Sequence, residues 1–156
     1  MGISEEGYVH HETYTGGMTL ERFNGFLQQL YQTVDHENQT YFIFDNARCH
    51  LRAEEFGGNI SNKFLPAYSP FLNPIENAFS TYKLHIKQAL SNMQAVFDNR
   101  EEARRQNLTL GEYRVNILKG VADNAVEAIT QERCTGWFRH LNRYLPSCMN
   151  MEDIEE

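Results

Sequence analysis

The run Thr40-Tyr41-Phe42-Ile43-Phe44-Asp45 is short, aromatic and apolar, and it stops on a carboxylate. Its length is too small for a helix that buries a face, and its residue types favour extended backbone, so it predicts a strand buried within a sheet. Open α/β sheets place ligand-binding groups at the C-terminal ends of their strands, which makes Asp45 a candidate site residue. The segments around it agree with a mixed class. Gly7-Tyr8-Val9-His10-His11-Glu12-Thr13-Tyr14 reads as a strand bounded by glycines. Thr19 caps a helix whose apolar residues Leu20, Phe23, Phe26, Leu27, Leu30, Tyr31 and Val34 recur at helical spacing. A short helix is expected over 51–56 and a strand at Lys63-Phe64-Leu65, stopped by Pro66 and the turn-rich residues to Pro70.

The strongest helix start is Asn73-Pro74-Ile75-Glu76, with a cap, a proline at the first helical position and a glutamate placed for a capping box. That helix is expected to run to about Phe97 and to bury Ile75, Phe79, Tyr82, Ile86, Leu90, Met93 and Phe97. Residues 100–106 read as a charged break. Thr109-Leu110-Gly111-Glu112 opens another helix to about Ile129, and Trp137, Leu141, Tyr144 and Leu145 share a face before Pro146. The acidic end, 151–156, is expected to fray. Strand, helix, two strands and then helices predict an α/β fold with a helical C-terminal end.

Composition limits what such a fold does. At 156 residues with 41% hydrophobic content, one packed core is within reach. No apolar stretch approaches a membrane span, and the N-terminus lacks the pattern of a signal peptide. The three cysteines, Cys49, Cys134 and Cys148, form no CxxC pair, which fits a reducing, intracellular setting and disfavours structural zinc. Net charge is −7, an awkward value for a nucleic-acid protein. Residues 41–97 are the least acidic part, at net +1.

Asp45 and Glu76 lie 31 positions apart, one after a strand and one in the first turn of a helix. Two such carboxylates are able to share Mg²⁺ or Mn²⁺, since hard cations take oxygen ligands with water and phosphate completing the shell. Each also has a plainer role: Asp45 as the cap of a turn, Glu76 as the partner in a capping box.

The wording of the two segments adds to this. Phe42-Ile43-Phe44-Asp45-Asn46-Ala47-Arg48-Cys49-His50 resembles the segment around the second catalytic aspartate of mariner-like transposases, in the DDE endonuclease superfamily. Residues Phe64 to Asn77, through Pro70-Phe71-Leu72-Asn73-Pro74-Ile75-Glu76, resemble the signature around the third acid. The spacing is a few residues shorter than usual, which implies a trimmed loop near Gly57-Gly58. More weakly, Gly7–Leu30 and the Trp137-Phe138-Arg139-His140 and Cys148 region resemble the flanking parts.

The resemblance implies an RNase H-like fold, Mg²⁺ or Mn²⁺, and DNA strand cleavage and joining at transposon ends, in the nucleus if the host is eukaryotic. Asp45 and Glu76 then match the second and third metal ligands. Asn46 and His50 match supporting polar positions, and Asn73 and Pro74 set the helix start. Arg48, Lys83 and Lys87 are candidate DNA contacts, although a solvated helix face explains the two lysines equally well. Residues 1–97 form a partial endonuclease domain, and 98–156 a helical extension packed on it. The family's first aspartate lies on a central strand upstream of the part matched by Tyr8–Tyr14, and no counterpart is present here. Glu5 and Glu6 lie in a polar stretch. The expectation is therefore an N-terminally truncated domain, inactive alone. It is a fragment, or receives the strand from a homodimer or another partner, or is retained as a non-catalytic nucleic-acid- or protein-binding module.

Overall fold

Thr19 accepts a hydrogen bond from the Arg22 amide (3.3 Å) and opens α1, Leu20–Thr33, in a computed structural model that describes residues 1–67 and 69–150. Phe23, Phe26, Leu27 and Leu30 are buried on one face of α1, the helical spacing read from the sequence. They pack against Phe42 of β3, Thr40–Phe44, and Ile60 of β4, Ile60–Phe64, with Val9 and Phe56 at the margin. β3 and β4 are parallel and in register from Thr40–Ile60 to Phe44–Phe64.

The expected buried strand is buried on one face only. Alternate side chains point to opposite sides of a strand, so Phe42 enters the core while Tyr41 and Ile43 remain 52% and 59% exposed. Among the described residues no strand pairs with the other edge of β3. The helix expected over 51–56 is absent as well. A tight turn takes its place, with the His50 and Leu51 amides both donating to the Ala47 carbonyl and the Ala53 amide donating to that of His50.

At the N-terminus β1, Gly2–Ser4, forms an antiparallel hairpin with β2, Gly7–His10. Residues 2–4, to which the sequence assigns no element, thus form a strand, and the predicted strand to Tyr14 ends four residues early. Side-chain bonds take over beyond it: His10 with Glu12 (3.2 Å), and His11 (3.6 Å) and Thr13 (2.9 Å) with Asp123. Glu5 and Glu6 lie exposed in the hairpin turn, where Gly7 adopts φ +132°.

A 3₁₀ turn, Pro70–Leu72, leads into α2, Ile75–Asn92, and α3, Gln94–Phe97, follows after a break at Met93. The single helix to Phe97 is therefore two. Only Ala78 of α2 is fully buried, and Ile75 and Tyr82 are half-buried. The charged break is α4, Arg100–Arg105, capped by the Asn99 side chain on the Glu102 amide. Glu101 and Glu102 in its first turn and Arg104 and Arg105 in its last complement the helix dipole, so polarity here supports a helix.

Thr109 and Glu112 form the predicted capping box of α5, Leu110–Ala125, and a 3₁₀ turn over Val126–Ala128 continues it. Pro146 lies within the first turn of α7, Leu145–Met149, instead of closing α6, Gln131–Leu141. Ala78, Ile129 and Cys134 form a second buried cluster with Ile3, Ile75 and Trp137, joining the hairpin, α2 and α6. Burial raises the Cys134 thiol pKa and keeps it from ionising. The frayed end proposed for 151–156 lies outside the described residues. No helix among those described is long and apolar enough to cross a membrane.

Candidate metal centre

The chain turns at the end of β3, and its next residue, Asp45, lines an open cleft of about 460 Å³. Asn46 also lines it, as do Pro66 beyond β4 and Asn73 and Glu76 at the start of α2. Two carboxylates distant in sequence therefore share one opening. The Asn46 side-chain amide donates to the Leu65 carbonyl (2.8 Å), clamping the ends of β3 and β4 on the side that holds Asp45.

Asp45 uses one oxygen structurally. Its Oδ1 accepts from the Ala47 amide (3.0 Å) and from His50 Nδ1 (2.6 Å). His50 is itself held against the Phe23 ring, with centroids 4.2 Å apart. The turn-capping role is real, and it fixes the carboxylate in place. Oδ2 has no partner among the described residues.

Glu76 behaves differently from its sequence setting. The capping box expected at Asn73–Glu76 does not form: α2 starts with Pro74 in the cap position, and no side chain caps it. Asn73 accepts the Glu76 amide through its backbone carbonyl (3.2 Å), leaving the Glu76 carboxylate with no hydrogen bond or ion pair among the described residues. Preceding it, Pro74 (φ −64°) holds helical backbone where the helix begins. The same sequence pattern at Thr109–Glu112 does close, with Glu112 accepting from both the Thr109 amide and its hydroxyl. Those bonds hold the Glu112 carboxyl below its usual pKa.

Asp45 and Glu76 thus line one cleft, three of their four carboxylate oxygens have no partner among the described residues, and the donor set they offer is all oxygen. That suits a hard divalent cation, which takes one or two carboxylates and completes its shell with water and phosphate. It does not suit an ion held by protein alone, since among the described residues no three His, Cys, Asp or Glu side chains gather in metal-binding range. Glu5 and Glu6 do not line the cleft.

Lys83 and Lys87 lie outside the cleft. Seven and eleven residues along α2, they fall on nearly the same stripe as Glu76, about 10 and 16 Å along the axis. Both are exposed and without ion pairs among the described residues. Arg48 is absent from the lining too and opens on the other side of the Asp45–His50 loop, next to Arg52. Arg52 carries no signal of its own in the sequence beyond its four-residue spacing from Arg48.

This chain belongs to the DDE superfamily endonucleases, whose family model matches residues 1–98 and so spans both Asp45 and Glu76. No curated protein and no solved structure matches it.

Proposed function

We propose that Asp45 and Glu76 are two carboxylate ligands of a divalent-metal centre for DNA strand cleavage and transfer, in an RNase H-like domain of the mariner-like transposase kind. The observation that carries this reading is the shared cleft with its three unpaired carboxylate oxygens. Family membership over residues 1–98 supports it. A bound Mg²⁺ or Mn²⁺ supplies a Lewis acid that activates a water or hydroxyl and neutralises charge on the phosphodiester.

The protein's own part is positioning. His50 and the Ala47 amide hold Asp45 Oδ1, so Oδ2 is left for a ligand at little further entropy cost. Pro74 sets the first turn of α2, whose dipole favours the negative charge of Glu76. Lys83 and Lys87 offer a trailing positive stripe for phosphates leaving the cleft. In this reading residues 1–97 carry the centre, and α5 and α6 brace α2 from behind. The open edge of β3 is a surface on which a strand from a second copy or another partner adds, bringing a third carboxylate.

With two carboxylates, affinity for Mn²⁺ is weak, with a dissociation constant on the order of 10⁻⁴–10⁻³ M. Calorimetric titration of the chain with Mn²⁺ tests this. Asp45→Ala is expected to remove the binding heat; identical isotherms for parent and variant would leave the family fold without the proposed centre.

A further inference from the structure

The loop that presents Asp45 has a second open side. Arg48, Cys49, Leu51 and Arg52 line a groove of about 470 Å³ there, and Met18 and Leu20 at the start of α1 form its other wall. The loop is a built structure: the Ala47 carbonyl accepts two amides, Asp45 accepts a third, and His50 packs on Phe23. Its two arginines, four residues apart, both line the groove.

Neither Arg48 nor Arg52 makes a hydrogen bond, ion pair or ring contact among the described residues. The side chains of Arg100, Arg104, Arg133, Arg139 and Arg143 are likewise unpartnered among the described residues, but none of them lines this groove as Arg48 and Arg52 do, and three arginines are engaged. Arg22 donates to the Thr15 and Gly17 carbonyls, Arg105 pairs with Glu102, and Arg114 pairs with Asp98. In a chain of net charge −7 with 21 acidic residues, two adjacent cations left without an acid form a local site for an external anion. Much of the groove lining is apolar and open to solvent, with Met18 49% and Leu51 56% exposed. A groove of this volume accommodates a group of nucleotide size.

We propose that this groove binds one step of a single nucleic-acid strand beside the phosphodiester held at the Asp45–Glu76 cleft. Arg48 and Arg52 take its phosphates, and Met18, Leu20 and Leu51 lie under its sugar and base. The proposal rests on reading the neighbouring cleft as a nuclease centre, because one loop, residues 45–52, lines both openings and makes them consecutive stations on one strand. A duplex satisfies the arginines but keeps its bases paired and leaves the exposed apolar side chains wet, so Met18 and Leu51 favour an unpaired strand.

The test is fluorescence anisotropy of a labelled oligothymidylate of about a dozen nucleotides, within the length range of single-strand sites. EDTA is present throughout, so the result is independent of the metal centre. Arg48→Ala with Arg52→Ala is expected to weaken binding roughly tenfold at low salt and to flatten the log–log salt dependence by about 1.4, near 0.7 for each phosphate that no longer meets an arginine. Arg100→Ala with Lys119→Ala removes equal charge from exposed helix positions and is expected to leave the slope unchanged.

In a Cys148→Ser background, the oligonucleotide is also expected to slow labelling of Cys49 by a neutral thiol reagent, Cys134 being buried. Equal slopes for the two double variants, undiminished Cys49 labelling, or equal competition by polyglutamate would each overturn the proposal. Loss of Mn²⁺ binding in the separate titration bears on the carboxylate cleft alone.

Discussion

Glu76→Gln is expected to lower Mn²⁺ affinity at least about tenfold while changing unfolding free energy by no more than about 0.5 kcal/mol. The two effects separate because Glu76 has no structural bond to lose. Had it closed a capping box, removing its charge would weaken the start of α2 in the way expected of a broken cap, at about 0.5–2 kcal/mol. In the structure its carboxylate is exposed and unpaired among the described residues, and no side chain caps the helix. Only the interaction with the α2 dipole is forfeited, a few tenths of a kcal/mol at an exposed position. Urea unfolding and Mn²⁺ titration on one preparation check both halves. A clear loss of stability with unchanged metal affinity would return Glu76 to a purely structural role.

Leu27→Ala is expected to act on the fold first, destabilising it by about 2–5 kcal/mol. Leu27 is completely excluded from solvent, in the cluster where Phe23, Phe26 and Leu30 of α1 meet Phe42 and Ile60 of the parallel pair. Alanine leaves a void there that rigid neighbours refill only in part. Against the roughly 5–15 kcal/mol that holds typical domains together, this is a large fraction. The urea midpoint should fall with little change in slope. The site feels it too: the α1 face that holds Leu27 also carries Phe23, on which His50 rests, and His50 holds Asp45. A change below about 1 kcal/mol would mean that the α1–β3 contact contributes less than its burial implies.

What was readable in the sequence follows from which forces are local. The Thr19 cap, the spacing of Phe23 to Leu30 and the Thr109–Glu112 box are set within a turn or two of helix, and all three appear as expected. The position of β3 was legible from its apolar run, but its exposure was not. How much of a strand is covered depends on elements far away in sequence, and here Tyr41 and Ile43 face solvent.

In place of the helix expected over 51–56 the chain makes turns, in which the His50 and Leu51 amides donate to the Ala47 carbonyl and the Ala53 amide to that of His50. The stretch 100–105 looked like a break because it lacks apolar periodicity. Its helix is held by the Asn99 cap and by charges suited to its two ends. At the candidate centre, Asp45 and Glu76 could be named from residue type and wording. That Asp45 spends one oxygen on its own turn while Glu76 spends none depends on the backbone path through Pro70–Pro74. Spacing does not encode that path. Half of the Arg48–Arg52 groove is legible in sequence: Arg48 belongs to the segment around Asp45, whereas the wall from Met18 and Leu20 comes from another element.

Anomalous diffraction from a crystal of the chain soaked in Mn²⁺ bears most directly on whether both carboxylates grip a common ion. The expected map has a peak in the cleft with an Asp45 oxygen and a Glu76 oxygen each within about 2.0–2.3 Å, the range for small hard cations. Manganese attached to only one of these side chains, or bound elsewhere while the cleft stays empty at saturating concentration, would contradict it.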